Sequence, residues 1–354
     1  MKRVAVICGG RSSEHEISCI SGSSVFAAID RSKYEPLLIG ISKSGKWVLI
    51  PENMNFHIKN GVMPHVPENA PQVTADIHGL LVNGKSLEID IAFPVLHGPY
   101  GEDGTIQGFF EMANIPYVGS GVLASAVAMD KSFAKPIFAS HGISTAPGFV
   151  ISKSLWGKEK NQLIARAETL GFPFFVKPAR GGSSRGTHKV KASIEIEEAV
   201  NDALLFDSKV MVETAINGSE IECAVLEIEG TPRASLVGEV VIDPRFDFYD
   251  FEAKYLDNAT RVDIPAALPE GTKQELQVKA IEAFTSLGCS GLARVDFFVT
   301  QSGEIIINEL NTMPGFTESS VWPKLWAASG VDYQSAITAL LENALTRNNG
   351  VLGN

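Results

Sequence analysis

The chain has 354 residues, 45% of them hydrophobic and 20% charged, a balance that fits two or three packed domains and excludes a disordered chain. A net charge of −11 repels phosphate backbones at long range, which argues against nucleic acid as a partner and requires any anion site to be a local basic cluster. No apolar run reaches the ~18 residues of a membrane span, and Cys8, Cys19, Cys223 and Cys289 are scattered without CxxC spacing, as expected for reduced thiols of a cytoplasmic protein with no membrane partner.

Residues 4–8 read as a buried strand, broken at Gly9 and Gly10 before it is long enough for a secretory leader. A helix from Glu14 to Ala28 follows, then strands over 35–42 and 89–97, then a Gly98–Gly104 loop and a helix through Ala113. Residues 51–86, rich in Pro, Asn and Gly, read as a variable surface excursion. Strands alternating with helices predict an open parallel sheet with ligands at the carboxyl ends of its strands, where Gly9–Glu14 and His97–Asp103 lie. A second unit begins near Met129, with helices over 130–141, 159–170 and 193–206, strands over 147–151 and 209–214, and a hairpin-like pair, 173–178 and 187–191. From Gly218 the pattern becomes long β alternation, interrupted by a loop at 244–262 that is rich in Phe and Tyr. A helix (269–287), a hairpin (291–311) and a last helix (331–346) complete the chain.

The hairpin "ARVDFFVTQSGEIIINELN" (293–311) carries the clearest chemistry. An even-numbered turn sets Arg294 opposite Glu309 and Asp296 opposite Ile307, and alternation puts Arg294, Asp296, Glu309 and Asn311 on one face. Two carboxylates and an amide oxygen beside an arginine suit Mg²⁺ held partly by substrate phosphates. A solvated hairpin face with scattered charge would read the same way in isolation. In "VKPARGGSSRGTHKV" (176–190), Lys177 precedes the glycines and no helix follows, so this is not the GxxxxGK[ST] loop that opens a helix. It reads as a flap between two strands, with Lys177 in the strand below; an ordinary Gly/Ser turn is the plainer alternative. Glu213 ends the strand "VMVE", where a carboxylate could read an adenine and ribose or be no more than a polar terminus.

Taken in order, "GGRSSEHEIS", "HGPYGEDGTIQG", "VGSGVLASAVAMDK", "VKPARGGSSRG", "FYDFEAKY" and "ARVDFFV…INELNTMPGFTESS" resemble the D-alanine–D-alanine ligases of the ATP-grasp superfamily over nearly the whole chain, 51–86 being the weak part. The resemblance implies an α/β and α+β ATP-grasp fold of three domains: an N-terminal open parallel α/β domain (1–128), a central subdomain with the Gly-rich loop (129–216), and a C-terminal subdomain with lid loop and metal site (217–354). It implies that two D-alanines are joined at the expense of ATP through a D-alanyl phosphate, for peptidoglycan precursor synthesis, in a homodimer. Lys131 and Lys177 match lysines that bind ATP phosphates, Glu213 and Glu220 the adenine-side and ribose carboxylates, and Lys254 a γ-phosphate contact from the lid. Asp296, Glu309 and Asn311 match ligands of two Mg²⁺ (or Mn²⁺) ions, and Arg294 the cation beside the transferring phosphoryl group. Glu14 matches the carboxylate that holds the first D-alanine's ammonium, with Ser183 and Tyr255 as its hydrogen-bonded partners, His97 near that amino acid, and Ser320 receiving the second D-alanine's carboxylate.

Four positions depart from the family pattern: Gly181, where a glutamate is frequent; Arg185, where an apolar residue is usual; Thr214, in the place of the lysine that often follows the strand-end glutamate; and Ser319, where a histidine is common. The nearest rival is a ligase of the same fold joining D-alanine to D-serine or D-lactate; "EAKY" with Tyr255 resembles the dipeptide-forming lid and argues against D-lactate. A non-catalytic ATP-binding regulator is disfavoured because Glu14 and every metal-ligand position are present. A dinucleotide-dependent oxidoreductase is disfavoured because "GGRSSEHE" is not GxGxxG.

Overall fold

A computed structural model describes residues 1–347 apart from Asn53, Asn55, Ser183 and 243–259. The chain opens with β1 (Lys2–Gly9), α1 (His15–Ala28), β2 (Tyr34–Ile41) and β3 (Trp47–Ile50). It passes through a small antiparallel sheet of β4 (Val73–Asp76), β5 (Gly79–Val82) and β6 (Lys85–Ser86), and returns in β7 (Ile91–Pro94). β1 lies between β2 and β7, parallel to both, and β3 adds an antiparallel edge to β2. Val4–Cys8 is apolar without a break because the central strand of such a sheet is covered on both faces. The 51–86 stretch does more than cross the surface. Phe56 and Val66 are buried, and a Cβ added to Gly40 would fall 2.6 Å from a Val66 methyl, so Val66 plugs the first core.

α2 (Thr105–Met112) and α3 (Val122–Met129) lead to α4 (Lys131–Ser140), β8 (Gly148–Ser152), α5 (Lys153–Glu168), β9 (Phe174–Pro178), β10 (His188–Val190), α6 (Ile196–Phe206) and β11 (Lys209–Thr214). The four strands form an antiparallel sheet in the order β10-β9-β11-β8. α5 starts earlier than the sequence pattern predicts: Ser152 caps it by accepting from the Leu155 amide at 3.2 Å, and Glu159, the expected start, sits at a break with φ −127°.

The third sheet is antiparallel throughout, ordered β14-β13-β12-β15-β16, from β12 (Gly218–Ile228), β13 (Thr231–Ile242), β14 (Thr260–Asp263), β15 (Leu292–Thr300) and β16 (Ile305–Asn311). α7 (Glu270–Ser286) covers it; α8 (Val321–Ala328) and α9 (Tyr333–Thr346) end the described chain. α3 and α8 escaped the sequence reading because VLASAVAM has almost no polar residue to mark a period and VWPKLWAA carries Pro323 in its first turn. Trp322, Leu325 and Leu340 share one buried cluster with Val4, Val6 and Phe93, so the end of the chain packs back against the first sheet.

The hairpin register differs from the expected one. Val299 pairs with Ile305 and Phe297 with Ile307, but Asp296 then pairs with Glu309 and Arg294 with Asn311, the shift falling at Asn308. Arg294 therefore does not face Glu309, and Asp296 does not face Ile307. The reason is side-chain chemistry. In an unbroken strand Ile307 and Glu309 would share a face. The bulge separates them, leaving Ile305 and Ile307 in the core with Val295 and Phe297 while Glu309 and Asn311 join Arg294 and Asp296.

Candidate active site

Local chemistry fixes the lysines. Asp130 caps α4 by accepting from the Ser132 amide at 3.1 Å, and it pairs with Lys209 of β11. The Lys131 amide donates to the Ala179 carbonyl at 3.1 Å, pinning the helix start to the end of β9. The Lys131 ammonium then reaches Glu309 at 2.8 Å and the Gly181 carbonyl at 3.0 Å. Burial, its largest influence, would lower the Lys131 pKa, but the charge and hydrogen bond of Glu309 outweigh it and raise it. Lys177, half-buried on β9, pairs with Glu213 at 2.7 Å and donates to the Asn308 amide oxygen at 3.3 Å. Glu213 has a second ammonium, Lys135, also at 2.7 Å. Burial opposes its charge, yet Lys177 and Lys135 together hold its pKa down to about 2.

On the hairpin face, Arg294 donates through Nε and Nη2 to both oxygens of Asp296 at 2.7 Å, and the Asn311 amide donates to Asp296 at 3.0 Å. Glu222 of β12 lies 3.3 Å from Arg294 Nε, so the guanidinium sits between two buried carboxylates. Glu309 and Asn311 bring hard oxygen donors to the larger cavity, and a divalent cation there would draw on Asp296 only in exchange for one of its bonds to Arg294 or Asn311. Among the described residues no group of three His, Cys, Asp or Glu forms a self-sufficient metal site.

Across the cleft, Glu14 is buried just before α1. Gly98, at φ +73°, comes so close that a Cβ there would lie 2.5 Å from Glu14 Oε2; the backbone needs glycine for both reasons. A Cβ on Gly182 would lie 3.4 Å from the same oxygen, so the glycine-rich loop already leans over Glu14. His97 Nδ1–H donates to the Met313 carbonyl and its Nε2 accepts from the Ser21 hydroxyl, each at 3.0 Å. Burial lowers its pKa, in keeping with this neutral tautomer. Ser320 precedes α8, its hydroxyl 2.7 Å from that of Thr317.

These groups border two adjoining cavities. The larger, about 710 Å³, is lined by Glu14, His97, Lys131, Arg294, Glu309, Asn311, Ser319 and Ser320. The second, about 420 Å³, is lined by Lys131, Lys135, Lys177, Glu213, Glu220 and Glu309. Lys131, Gly181 and Glu309 belong to both and form the partition. Every expected site residue among the described ones lies on this pair of cavities except Asp296, which sits beneath the face and orients Arg294 and Asn311. Ser183, Lys254 and Tyr255, with most of the expected lid, fall outside the described residues.

The sequence reading missed Lys135, Asn308, Glu222 and Glu102. Glu102 accepts from the Gly98 amide at 2.6 Å and the Met313 amide at 3.3 Å, tying the 98–104 loop to the segment after β16. Burial and then the Glu14 charge push its pKa up to about 8, against those two hydrogen bonds. A signal existed for three of them. Glu102 stands inside "HGPYGEDG", Lys135 is one helical turn beyond Lys131, and Asn308 interrupts an apolar strand.

Residues 3–120 match the family described as D-ala D-ala ligase N-terminus, and residues 137–342 the one described as D-ala D-ala ligase C-terminus. The chain is 45% identical to the D-alanine–D-alanine ligase of Paenarthrobacter aurescens, the alignment covering 99% of this chain and 96% of that one. It is 46% identical to that of Mycolicibacterium smegmatis, covering 99% and 97%. Among solved structures it resembles the D-alanine–D-alanine ligase from Coxiella burnetii (TM-score 0.82, 35% identity, 98% and 95% of the two chains). It also resembles the VanG D-Ala:D-Ser ligase from Enterococcus faecalis (TM-score 0.83, 34% identity, 97% and 99%). With both halves matched, near-complete coverage by curated relatives, and the ATP-grasp arrangement of sheets around a cleft, the chain belongs to the D-alanine–D-alanine ligase family.

Proposed function

We propose that this chain joins two molecules of D-alanine into D-alanyl-D-alanine at the expense of ATP, as its curated relatives' names describe for them, and so supplies the dipeptide for peptidoglycan precursors. The observation that carries the reading is the partition: one cavity with paired lysines and a strand-end carboxylate, one with the buried carboxylate of Glu14, and Lys131 and Glu309 between them. ATP lies in the smaller cavity, its base and ribose toward Glu213 and Glu220 and its phosphates toward Lys177 and Lys131. The first D-alanine lies in the larger cavity with its ammonium on Glu14. A carboxylate oxygen of that D-alanine bonds to the γ-phosphorus as the bond from phosphorus to the ADP oxygen breaks, giving the acyl phosphate and ADP.

Lysines and Arg294 neutralise the charge that moves across the partition, a preorganised electrostatic contribution. Two Mg²⁺ or Mn²⁺ ions would be held by Asp296, Glu309 and Asn311, and when bound supply further neutralisation of the phosphate oxygens. The second D-alanine, its carboxylate at Ser320, attacks the acyl carbon as a free amine; the C–N bond forms, the C–O bond breaks, and the leaving phosphate carries off the proton that the nitrogen gives up. Neutral His97, clamped between Ser21 and Met313, keeps the wall of this cavity fixed without adding a charge beside Glu14. The glycine-rich loop leaning on Glu14 excludes the water that would hydrolyse the acyl phosphate. Lys254, Tyr255 and Ser183 belong to the same closure in this reading, and the divisions at 1–128, 129–216 and 217–354 and a homodimer go with it.

The test is phosphate release by purified protein with ATP, Mg²⁺ and D-alanine, with D-serine or D-lactate added in turn and products identified by mass. Release with D-alanine alone, yielding the dipeptide, is the expected result. Release only with a mixed pair would move the chain to the D-serine or D-lactate ligases, and none with any pair, despite ATP binding, would leave a regulator.

A further inference from the structure

Lys135 is a fully enclosed ammonium that the mechanism above does not use. It lies on α4 one turn beyond Lys131, is 5% exposed, and borders the smaller cavity. Its ammonium is 2.7 Å from one oxygen of Glu213, and Lys177 is 2.7 Å from the other. Burying an ammonium here is unfavourable: burial, with Lys177 and Lys131 nearby, lowers its pKa to about 8, Glu213 opposing them. A neutral side chain of the same length would fill the space at less cost, so the charge calls for an explanation.

Charge counting supplies it. Lys131, Lys135, Lys177 and Lys189 line the smaller cavity with Glu213, Glu220 and Glu309, four ammonium groups against three carboxylates. The surplus single positive charge is what the cluster can offer an anion. Without Lys135 the count is three against three, Glu213 keeps Lys177 as its one ion-pair partner among the described residues, and that pair must be given up when Lys177 turns to a phosphate. We infer that Lys135 is a positioning residue: by neutralising Glu213 it releases the charge of Lys177 for the nucleotide's phosphates. This rests on the nucleotide reading of the smaller cavity.

Isothermal titration with ADP and Mg²⁺, paired with steady-state kinetics, tests it. Lys135→Met should weaken ADP binding and raise the ATP KM by about tenfold, the scale of one displaced buried ion pair, with the D-alanine KM at saturating ATP unchanged. The discriminating variant is Lys135→Met/Glu213→Gln, which removes both charges and buries neither alone. Compared with Glu213→Gln, the added Lys135→Met should change ADP affinity by less than about twofold, because no carboxylate remains to capture Lys177. That comparison stands even where Lys135→Met alone fails to fold. A full tenfold loss in the Glu213→Gln background would mean that Lys135 acts on the nucleotide directly, and the inference would be wrong. It would also be wrong if ADP affinity ignored Lys135→Met in both backgrounds. Wild-type protein that fails to bind ADP would overturn the nucleotide cavity itself, and this inference with it.

Discussion

Gly98→Ala separates the amino-acid half of the site from everything else. Two effects follow from the geometry. At φ +73° an alanine is strained by roughly 1–2 kcal/mol, which lowers the melting temperature by only a few degrees, about 3 °C at this size. The new Cβ would stand 2.5 Å from Glu14 Oε2, and an ordinary contact is about 3.5 Å, so something must move by roughly 1 Å. The Glu14 carboxylate is the end of a flexible side chain, whereas Gly98 is tied through its amide to Glu102 at 2.6 Å. The carboxylate therefore yields. A misplacement of that size in a group that orients substrate costs on the order of 10²-fold in kcat/KM.

The assay is phosphate release against D-alanine concentration, with ADP binding measured alongside. The expected result is a loss confined to D-alanine: ADP affinity within twofold of wild type, a folded protein, and kcat/KM for D-alanine down by about two orders of magnitude. An unchanged kcat/KM in a well-folded variant would refute the placement of the ammonium at Glu14. An equal loss of ADP affinity would show that the change had spread across the partition.

Glu309→Gln should abolish turnover while the protein still melts cooperatively, because the residue borders both cavities and pairs with Lys131 at 2.8 Å; near-normal phosphate release would remove the metal role of the hairpin. Deleting Asn308 should leave the fold and the carboxylate face intact, since it turns the bulge into a regular ladder with Asp296 still opposite Glu309. What it removes is the amide partner of Lys177, so the ATP KM should rise severalfold at constant melting temperature; an unfolded product would contradict the register. Glu213, held to about 2 against an ordinary 4.5, contributes stability that is complete above pH 4.5 and is lost as pH falls toward 2. The size is on the order of 3 kcal/mol, so urea denaturation at pH 6 and pH 3 should show an acid loss that is smaller in Glu213→Gln.

The parts of this molecule that could be read from sequence are those where one physical requirement dominates. Val4–Cys8 must be apolar throughout because both faces of its strand are covered, and that shows in the letters alone. The expected site residues, named mostly from motifs long enough to carry a family resemblance, come together around one pair of cavities. The hairpin was half legible. Its four polar residues do share a face, but the pairing assumed an unbroken ladder, which would have set Ile305 and Ile307 on the carboxylate side. The clue was present in the strand itself: isoleucines and carboxylate at the same parity cannot both be satisfied without an extra residue between them, and Asn308 is that residue.

Lys135 was hidden for a different reason. Its partner Glu213 lies 78 positions away, and a lysine four residues after another on a helix normally marks a solvated stripe. Only the meeting of α4, β9 and β11 turns it into a buried charge, and only the count of charges around Glu213 shows what that charge does. The same argument explains why Glu102 was passed over within a motif whose histidine was noticed. Its role depends on Gly98 and Met313, two backbone amides brought together from different ends of the chain. Side chains that meet substrate announce themselves by type, whereas side chains that hold other groups in place do so by position, and position is what folding adds.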